Sequence, residues 1–593
     1  VPHTVRAGPA AALLGLVLGC LALGPALGPG FTLLQDMVFV PEPAFSAFTF
    51  GLAGGAARVV PSDAVVTALA QVLPAEVVQK AILLAIFVLG CSGAALLLPP
   101  GAPGPRLVAG AFYVWNPYVA ERLLMGQWAL LLGYAGLPWV VRALYATRDP
   151  RPGSGPDPDP EPEPGPEPEP GPAREPGSRA RPGPGPGWRV AVAMVPAAVG
   201  GFAAMTVTAI TVLPTASGWR RFVRVAVALA AFSLPWLAVT ALRPEGLHGD
   251  PTGVDAFAAR ADTPFGALGS VLSLGGIWNA YAVPPGYDNP LGAVARLLLT
   301  LTGIVFFLRG PVPFRRGLAV AAGAGLGIAL VGVSEPGRAA FRWLVEVWGG
   351  FAVFRDAQQF VAPLALLAAL GLGLLARTVT GPAADGRAGV MAGAAAADGS
   401  AAAAARVADG AGAGAVTGWR GWVVALVLVP VAVLPTMAWG ALGRLAAVPY
   451  PEGWTAARAA IRADRAPGDV LVLPYEAYRR FPWNGGRPVL DPAQRFFATP
   501  GRRVVCNDAV RVGSLVVASE DPRAQEVERV LEGPSPDLPA AGFRYVIVNA
   551  GTGVERRRFA EWLRTARILV DTADLRLYRF DGPVTTASSP HVR

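Results

Sequence analysis

Charge is scarce in this chain. Of its 593 residues only 15% are Asp, Glu, Lys or Arg, against 53% hydrophobic, and the mean hydropathy is +0.44. A soluble domain carries about 25% charged residues, so the composition indicates an integral membrane protein. Cysteine and histidine are as sparse. Cys20 and Cys91 lie in apolar runs and Cys506 far beyond them, which argues against a disulfide framework. Of His3, His248 and His591, two sit at the chain ends, which argues against a His-rich zinc site or a Ser-His-Asp triad in the helices. Acid–base chemistry must then rest on Asp and Glu, and anion stabilisation on Arg or a metal ion. No Gly-rich phosphate fingerprint follows a strand, so nucleotide binding has no support.

What is present is a series of long apolar segments. A spanning helix needs about 20 apolar residues, and candidates run over 8–28, 80–98, 106–121, 127–146, 220–242, 291–308, 317–334, 360–377 and 419–447. The stretch 190–214 is apolar throughout but interrupted by Pro196 and Gly200-Gly201, and it reads as a hairpin of two short helices. That reading gives about eleven crossings, with the N-terminus cytoplasmic. Arg106, Arg142, Arg220, Arg221, Arg309, Arg315, Arg316 and Arg377 then share the cytoplasmic side, as the positive-inside rule requires. The net charge of +9 is explained by this topology and by anionic lipid. No basic–aromatic stripe or zinc-finger spacing points to nucleic acid.

The expected organisation is a polytopic α-helical membrane bundle with a small C-terminal extracytoplasmic α/β domain. Residues 1–148 hold the N-terminal helices and the first outer loop. A Pro/Glu-rich linker over 149–187 is expected to be a disordered cytoplasmic spacer. Central helices with outer loops follow over 188–378. An Ala/Gly-rich linker over 379–418, of the same expected kind, leads to a last helix at 419–447 and the outer domain over 448–593. In that domain Val470 to Pro474 and Tyr545 to Asn549 read as buried strands, 453–464, 522–532 and 553–565 as amphipathic helices, and Leu575 to Phe580 as a last strand. Strands alternating with helices indicate an α/β unit.

Three constellations carry possible chemistry, all on the side expected to be outer. Asp36 sits directly behind the first apolar segment, with Glu42 and Asp63 further along the same loop. A carboxylate at the mouth of a helix bundle is costly unless solvated, paired or used. It suits a base that takes a proton from an acceptor hydroxyl; equally, it could cap a helix or pair with an arginine. The second is Asn116-Pro117-Tyr118-Val119-Ala120-Glu121-Arg122, which sets an adjacent Glu–Arg pair among aromatics between two spans. Charges so near hydrocarbon usually face a wet cavity, so Arg122 could hold a phosphate or could be locked in an internal ion pair. The third is Arg355-Asp356 before a late helix. The helix dipole favours Asp356 but not Arg355, which becomes a further candidate for a phosphate or sugar. The loop 243–290 adds Arg260, Asp262, Trp278, Asn279, Tyr281, Tyr287 and Asp288, a mixture suited to carbohydrate and also to an ordinary structured loop.

These motifs together resemble the GT-C glycosyltransferase superfamily, and within it the arabinofuranosyltransferase-like group of actinobacterial envelope proteins. The likeness covers the layout of 8–447 and a few short motifs. It implies a plasma-membrane enzyme that takes a sugar from a polyprenyl-phosphate donor, normally with inversion, and delivers it to an envelope glycan or lipid on the outer face. Asp36 would be the base, with Arg122 and Arg355 as phosphate ligands and Glu121, Arg260 and Asp356 in support. Many members carry two neighbouring acidic residues in the first loop. Here Asp36 is flanked by Gln35 and Met37, so a divalent cation is left open, with Glu42 or Asp63 as candidates for a second carboxylate. The alternative is a non-catalytic scaffold or a transporter of lipid-linked glycan. Transport is disfavoured by nearly charge-free spans and the lack of an internal repeat.

Overall fold

The computed structural model describes residues 2–55, 60–146, 187–243, 249–380, 421–549, 557 and 559–582, with the side chains of 2–6, 146 and 380 left out. Nearly all of both low-complexity linkers, and residues 553–556 and 558 of the helix expected over 553–565, lie outside these residues; 557, 559 and 560 are helical and 561–565 form turns. Among the described residues fourteen α-helices precede the last apolar stretch: α1 (Pro2–Leu23), α2 (Val60–Ala70), α3 (Ala75–Leu97), α4 (Pro103–Val114), α5 (Pro117–Leu124), α6 (Trp128–Ala146), α7 (Gly187–Thr215), α8 (Trp219–Leu242), α9 (Thr252–Ala256), α10 (Gly266–Leu272), α11 (Pro290–Arg309), α12 (Arg315–Val331), α13 (Glu335–Val347) and α14 (Ala362–Thr380). Among the described residues six helical stretches are long and apolar enough to cross a membrane. Two bent pairs, α12 with α13 at 97° and Gly421–Val433 with Pro435–Gly443 at 72°, raise that to eight. The expected eleven is not reached on length and composition.

One reason is local chemistry at 106–121. Asn116 turns the chain: its side chain accepts from the Val119 amide at 3.1 Å, and Pro117 takes the first helical position. The stretch becomes two short helices, α4 and α5. The other broken segment behaves as the glycines suggest. Gly201 has φ 78°, which interrupts α7. Gly200 lies against Ala129, Gly133 against both Ala197 and Ala204, Gly136 against Pro196, and the Tyr145 hydroxyl donates to the Thr215 carbonyl at 2.9 Å. The chain therefore climbs along α6, turns at Gly201 and returns beside it.

Burial ranks the helices. The apolar window containing α14 is 94% buried and that of α8 only 6%, so α14 runs through the interior and α8 presents its side chains outward. Helix α13 is amphipathic, with Phe341 and Val345 buried and Trp343 and Val347 exposed. Its Arg338 and Arg342 clasp Asp255 and Glu335.

Beyond residue 443 the chain forms an α/β unit. Helix α15 (Glu452–Ala463) precedes a mixed sheet of order β10-β11-β9-β3-β6, built from β3 (Asp469–Leu473), β6 (Val504–Val505), β9 (Phe543–Asn549), β10 (Arg567–Asp571) and β11 (Leu575–Arg579). β3 runs parallel to β6 and β9, whereas β11 is antiparallel to β9 and β10. Helix α16 (Pro522–Leu531) completes it. The β3, β9 and β11 strands and both helices match the sequence expectation. Two hairpins were not foreseen: β4 (Tyr478–Arg480) with β5 (Pro488–Leu490), and β7 (Val510–Val512) with β8 (Leu515–Val517).

Strand alternation divides the core. Val470 and Val472 of β3 face a cluster that continues unbroken into the helices, through Trp454, Phe481 and Val489 to Leu34, Met37 and Phe39. Leu471 and Leu473 face a separate cluster with Val505, Val546, Val548 and Phe559. A further strand pair ties the ends of the bundle together: β1 (Phe31–Thr32), just after the first helix, pairs antiparallel with β2 (Ala447–Val448), just after the last.

Candidate active site

Asp36 sits in a tight turn. Residues 31–40 are buried except for Asp36, which is half-buried. Gln35 adopts φ 49°, and Leu34 and Met37 exchange backbone hydrogen bonds of 2.8 and 3.3 Å across the turn. The Asp36 amide donates to the Met125 carbonyl at 3.1 Å, which seats the turn on the corner between α5 and α6. That corner must be glycine. A Cβ on Gly126, at φ 77°, would stand 2.3 Å from the Met37 amide nitrogen and 2.4 Å from the Leu34 carbonyl oxygen.

The C-terminal unit closes over the same turn. The Gln35 amide donates to Pro488 O at 2.7 Å, the Leu490 amide to Gln35 O at 2.8 Å, and Asn484 Nδ2 to Leu33 O at 3.1 Å. The Tyr478 hydroxyl of β4 donates to Asp36 Oδ1. Asp36 is thus held from both sides.

Next to it lies a cavity of about 590 Å³ between the 260–281 loop and the C-terminal unit. This is within the range of small-molecule sites. Gln35 and Tyr478 form its edge nearest Asp36, with Trp278, Asn279 and Tyr281 on one wall and Tyr475, Asn507 and the β7–β8 hairpin on the other. Arg260, Arg480 and Arg511 border it as exposed side chains, and among the described residues none of them forms an ion pair. The Arg480 guanidinium stands 5.6 Å over the Tyr281 ring. The lining therefore combines flat aromatic faces, amides, arginines outside any ion pair and the carboxylates of Glu476 and Glu528.

The other expected residues lie elsewhere. Arg122 is fully buried and grips Asp356 with both terminal nitrogens, Nη2 to Oδ1 at 2.9 Å, while also bonding Gln127 and Gln358. Arg355 is 5% exposed and pairs with Glu520 of the C-terminal unit at 2.7 Å. Neither borders the cavity, and the expected convergence of Arg122 and Arg355 on Asp36 is corrected: carboxylates already neutralise both guanidiniums inside the protein. Asp356 is the clasp for Arg122 rather than a separate ligand. Glu121 is buried against Ile277 and Gln358, away from the cavity. Of the five residues expected to contact substrate, only Arg260 borders the cavity.

The possible second carboxylates are also occupied. Glu42 pairs with Arg458 and Arg462, and Asp63 with Arg495 at 3.0 Å. Among the described residues no group of three or more His, Cys, Asp or Glu side chains is placed to hold a metal ion. Sequence reasoning missed Tyr478, Arg480 and Arg511, which belong to short strands without periodic signal.

Neither a family model nor a curated protein sequence matches the chain. Solved structures do. The arabinofuranosyltransferase AftD from Mycobacteria superposes with a TM-score of 0.56 at 14% identity, over 97% of this chain and 40% of that one. Its R1389S mutant gives 0.53 at 16% identity, over 98% and 42%. This chain has the GT-C fold. It spans about 40% of the AftD chain. ArnT from Cupriavidus metallidurans in the apo state aligns over 97% of both chains at 12% identity and a TM-score of 0.45.

Proposed function

We propose that this GT-C protein is an inverting glycosyltransferase that moves a sugar from a polyprenyl-phosphate donor to an envelope glycan or lipid on the extracytoplasmic face. The observation that carries the reading is the cavity beside Asp36, lined by aromatics and by arginines that form no ion pair among the described residues. Asp36 takes the proton of the acceptor hydroxyl, that oxygen attacks the anomeric carbon, and the lipid phosphate leaves with the bonding electron pair. Tyr478 orients the carboxylate through its hydrogen bond to Oδ1. Trp278 and Tyr281 offer stacking faces to sugar rings, and Arg260, Arg480 and Arg511 balance the charge on the departing phosphate. Arg122–Asp356 and Arg355–Glu520 brace the walls.

The test is transfer from a labelled polyprenyl-phosphate sugar in membranes containing the protein. A general base contributes about 10²–10⁴-fold, so Asp36→Asn should lower the rate by that order at unchanged protein level. Equal transfer by parent and variant would remove Asp36 as the base.

A further inference from the structure

Away from the cavity, a second set of oxygens gathers around Gly275 with part of its hydrogen-bonding capacity unmet. Glu121 of α5 and Tyr287 are 0% and 1% exposed, and Asp262 is half-buried. One oxygen of each carboxylate is served: the Gly276 amide donates to Asp262 Oδ2, while the Ile277 amide at 3.2 Å and Gln358 Nε2 at 3.4 Å donate to Glu121 Oε2. Glu121 Oε1, Asp262 Oδ1 and Tyr287 Oη are buried and have no partner. An unmet buried polar group costs about 1–3 kcal/mol, and two adjacent carboxylates repel.

These side chains surround Gly275. A Cβ there would stand 2.5 Å from Tyr287 Oη, 2.8 Å from Asp262 Oδ2 and 2.9 Å from Glu121 Oε1. Only a glycine leaves room at this point for Glu121 Oε1 and Tyr287 Oη, both unpartnered, beside Asp262 Oδ2, which the Gly276 amide serves.

We propose that Glu121, Asp262 and Tyr287 form a binding site for a hard divalent cation of the Mg²⁺, Mn²⁺ or Ca²⁺ class. An all-oxygen donor set selects such ions, which keep several waters when the protein supplies few ligands. The neighbouring charges permit it. Arg122 is spent on Asp356, and Arg296 stacks 3.8 Å over the Tyr287 ring with Nη2 turned to the Tyr287 carbonyl. Three carboxylates against these two guanidiniums leave a negative surplus. Half-buried Asp262 supplies the entry path. A cation here staples the 257–290 loop to α5, and that loop carries Arg260, Trp278 and Tyr281 into the cavity.

Binding is read without any sugar, so its outcome is separate from that of the glycosyl-transfer proposal. The full chain in detergent, stripped with chelator, is titrated with Mn²⁺ and followed by electron paramagnetic resonance, with thermal unfolding in Mg²⁺ and Ca²⁺ alongside. One saturable Mn²⁺ per chain is expected, weakened about tenfold or more by Glu121→Gln and by Asp262→Asn. The melting temperature of the parent should rise with cation. No binding by the parent up to about 1 mM, or equal binding in parent and both variants, overturns the site. So does an infrared carboxylic-acid band in the parent that is indifferent to cation and vanishes in Glu121→Gln, which assigns the space to a shared proton. The parent's titration needs no variant to fold.

Discussion

Gly126 shows how much of the candidate site depends on a single missing side chain. Its φ of 77° and its contact with the Asp36 turn leave no room for a Cβ. A non-glycine residue held in that conformation costs about 1–3 kcal/mol before any clash. Gly126→Ala should therefore lower the melting temperature and suppress the proposed sugar transfer, although Gly126 does not line the cavity; parallel thermal and transfer assays check this. Asp491 offers a pH handle. Burial pushes its carboxyl up to about 6, with Arg479 nearby and the bonds from the Ala493 amide and Asn549 partly offsetting the cost. Because the folded group holds its proton more tightly than the unfolded one, stability falls as pH rises from about 4 to about 6 and stays lower above. Asp491→Asn should flatten that part of the profile relative to the parent, read as melting temperature across pH. At this scale the sequence shows which residues carry charge but not whom they meet. Arg122 was a reasonable anion ligand until Asp356, 234 positions away, took its guanidinium. Tyr478 lies 442 positions from Asp36 and carries no local signal.

Among the elements, the break at Gly200-Gly201 was legible because glycine and proline act locally, and the fold places a turn there. The strands β3 and β9 were legible for a related reason: their buried runs are five and seven residues long. The β4–β5 hairpin, which supplies Tyr478 and holds Gln35, has strands of only three residues each, too short for a period to declare itself. Elements also depend on paired charges at their junctions. Arg355, before α14, and Glu520, before α16, are both nearly buried. Removing one partner of such a pair costs about 3–5 kcal/mol, since the other charge is left stranded. Glu520→Gln should accordingly raise hydrogen exchange in 515–531 and 350–360 together, whereas separate responses would mean the pair does not couple them.

For the whole molecule, the layout of bundle followed by α/β unit was readable from hydropathy and strand pattern, and it agrees with the GT-C fold. The intimacy of the two parts was not readable. One face of the sheet shares its core with the helices through Trp454, Phe481, Val489 and Leu34, and contacts across hundreds of residues leave no periodic trace in the chain. An excised 448–582 fragment should therefore expose that face and aggregate, while the full chain in detergent stays monodisperse; size-exclusion chromatography of both distinguishes the outcomes.

The pairing of Phe31–Thr32 with Ala447–Val448 has a further consequence for biogenesis. As the ribosome delivers the chain, the turn bearing Asp36 emerges first, yet the segments that set its shape, 447–448, 484 and 488–490, come off the ribosome more than 400 residues later. Until they arrive the turn lacks the backbone partners that fix it, so the order of synthesis delays its final shape until assembly is nearly complete.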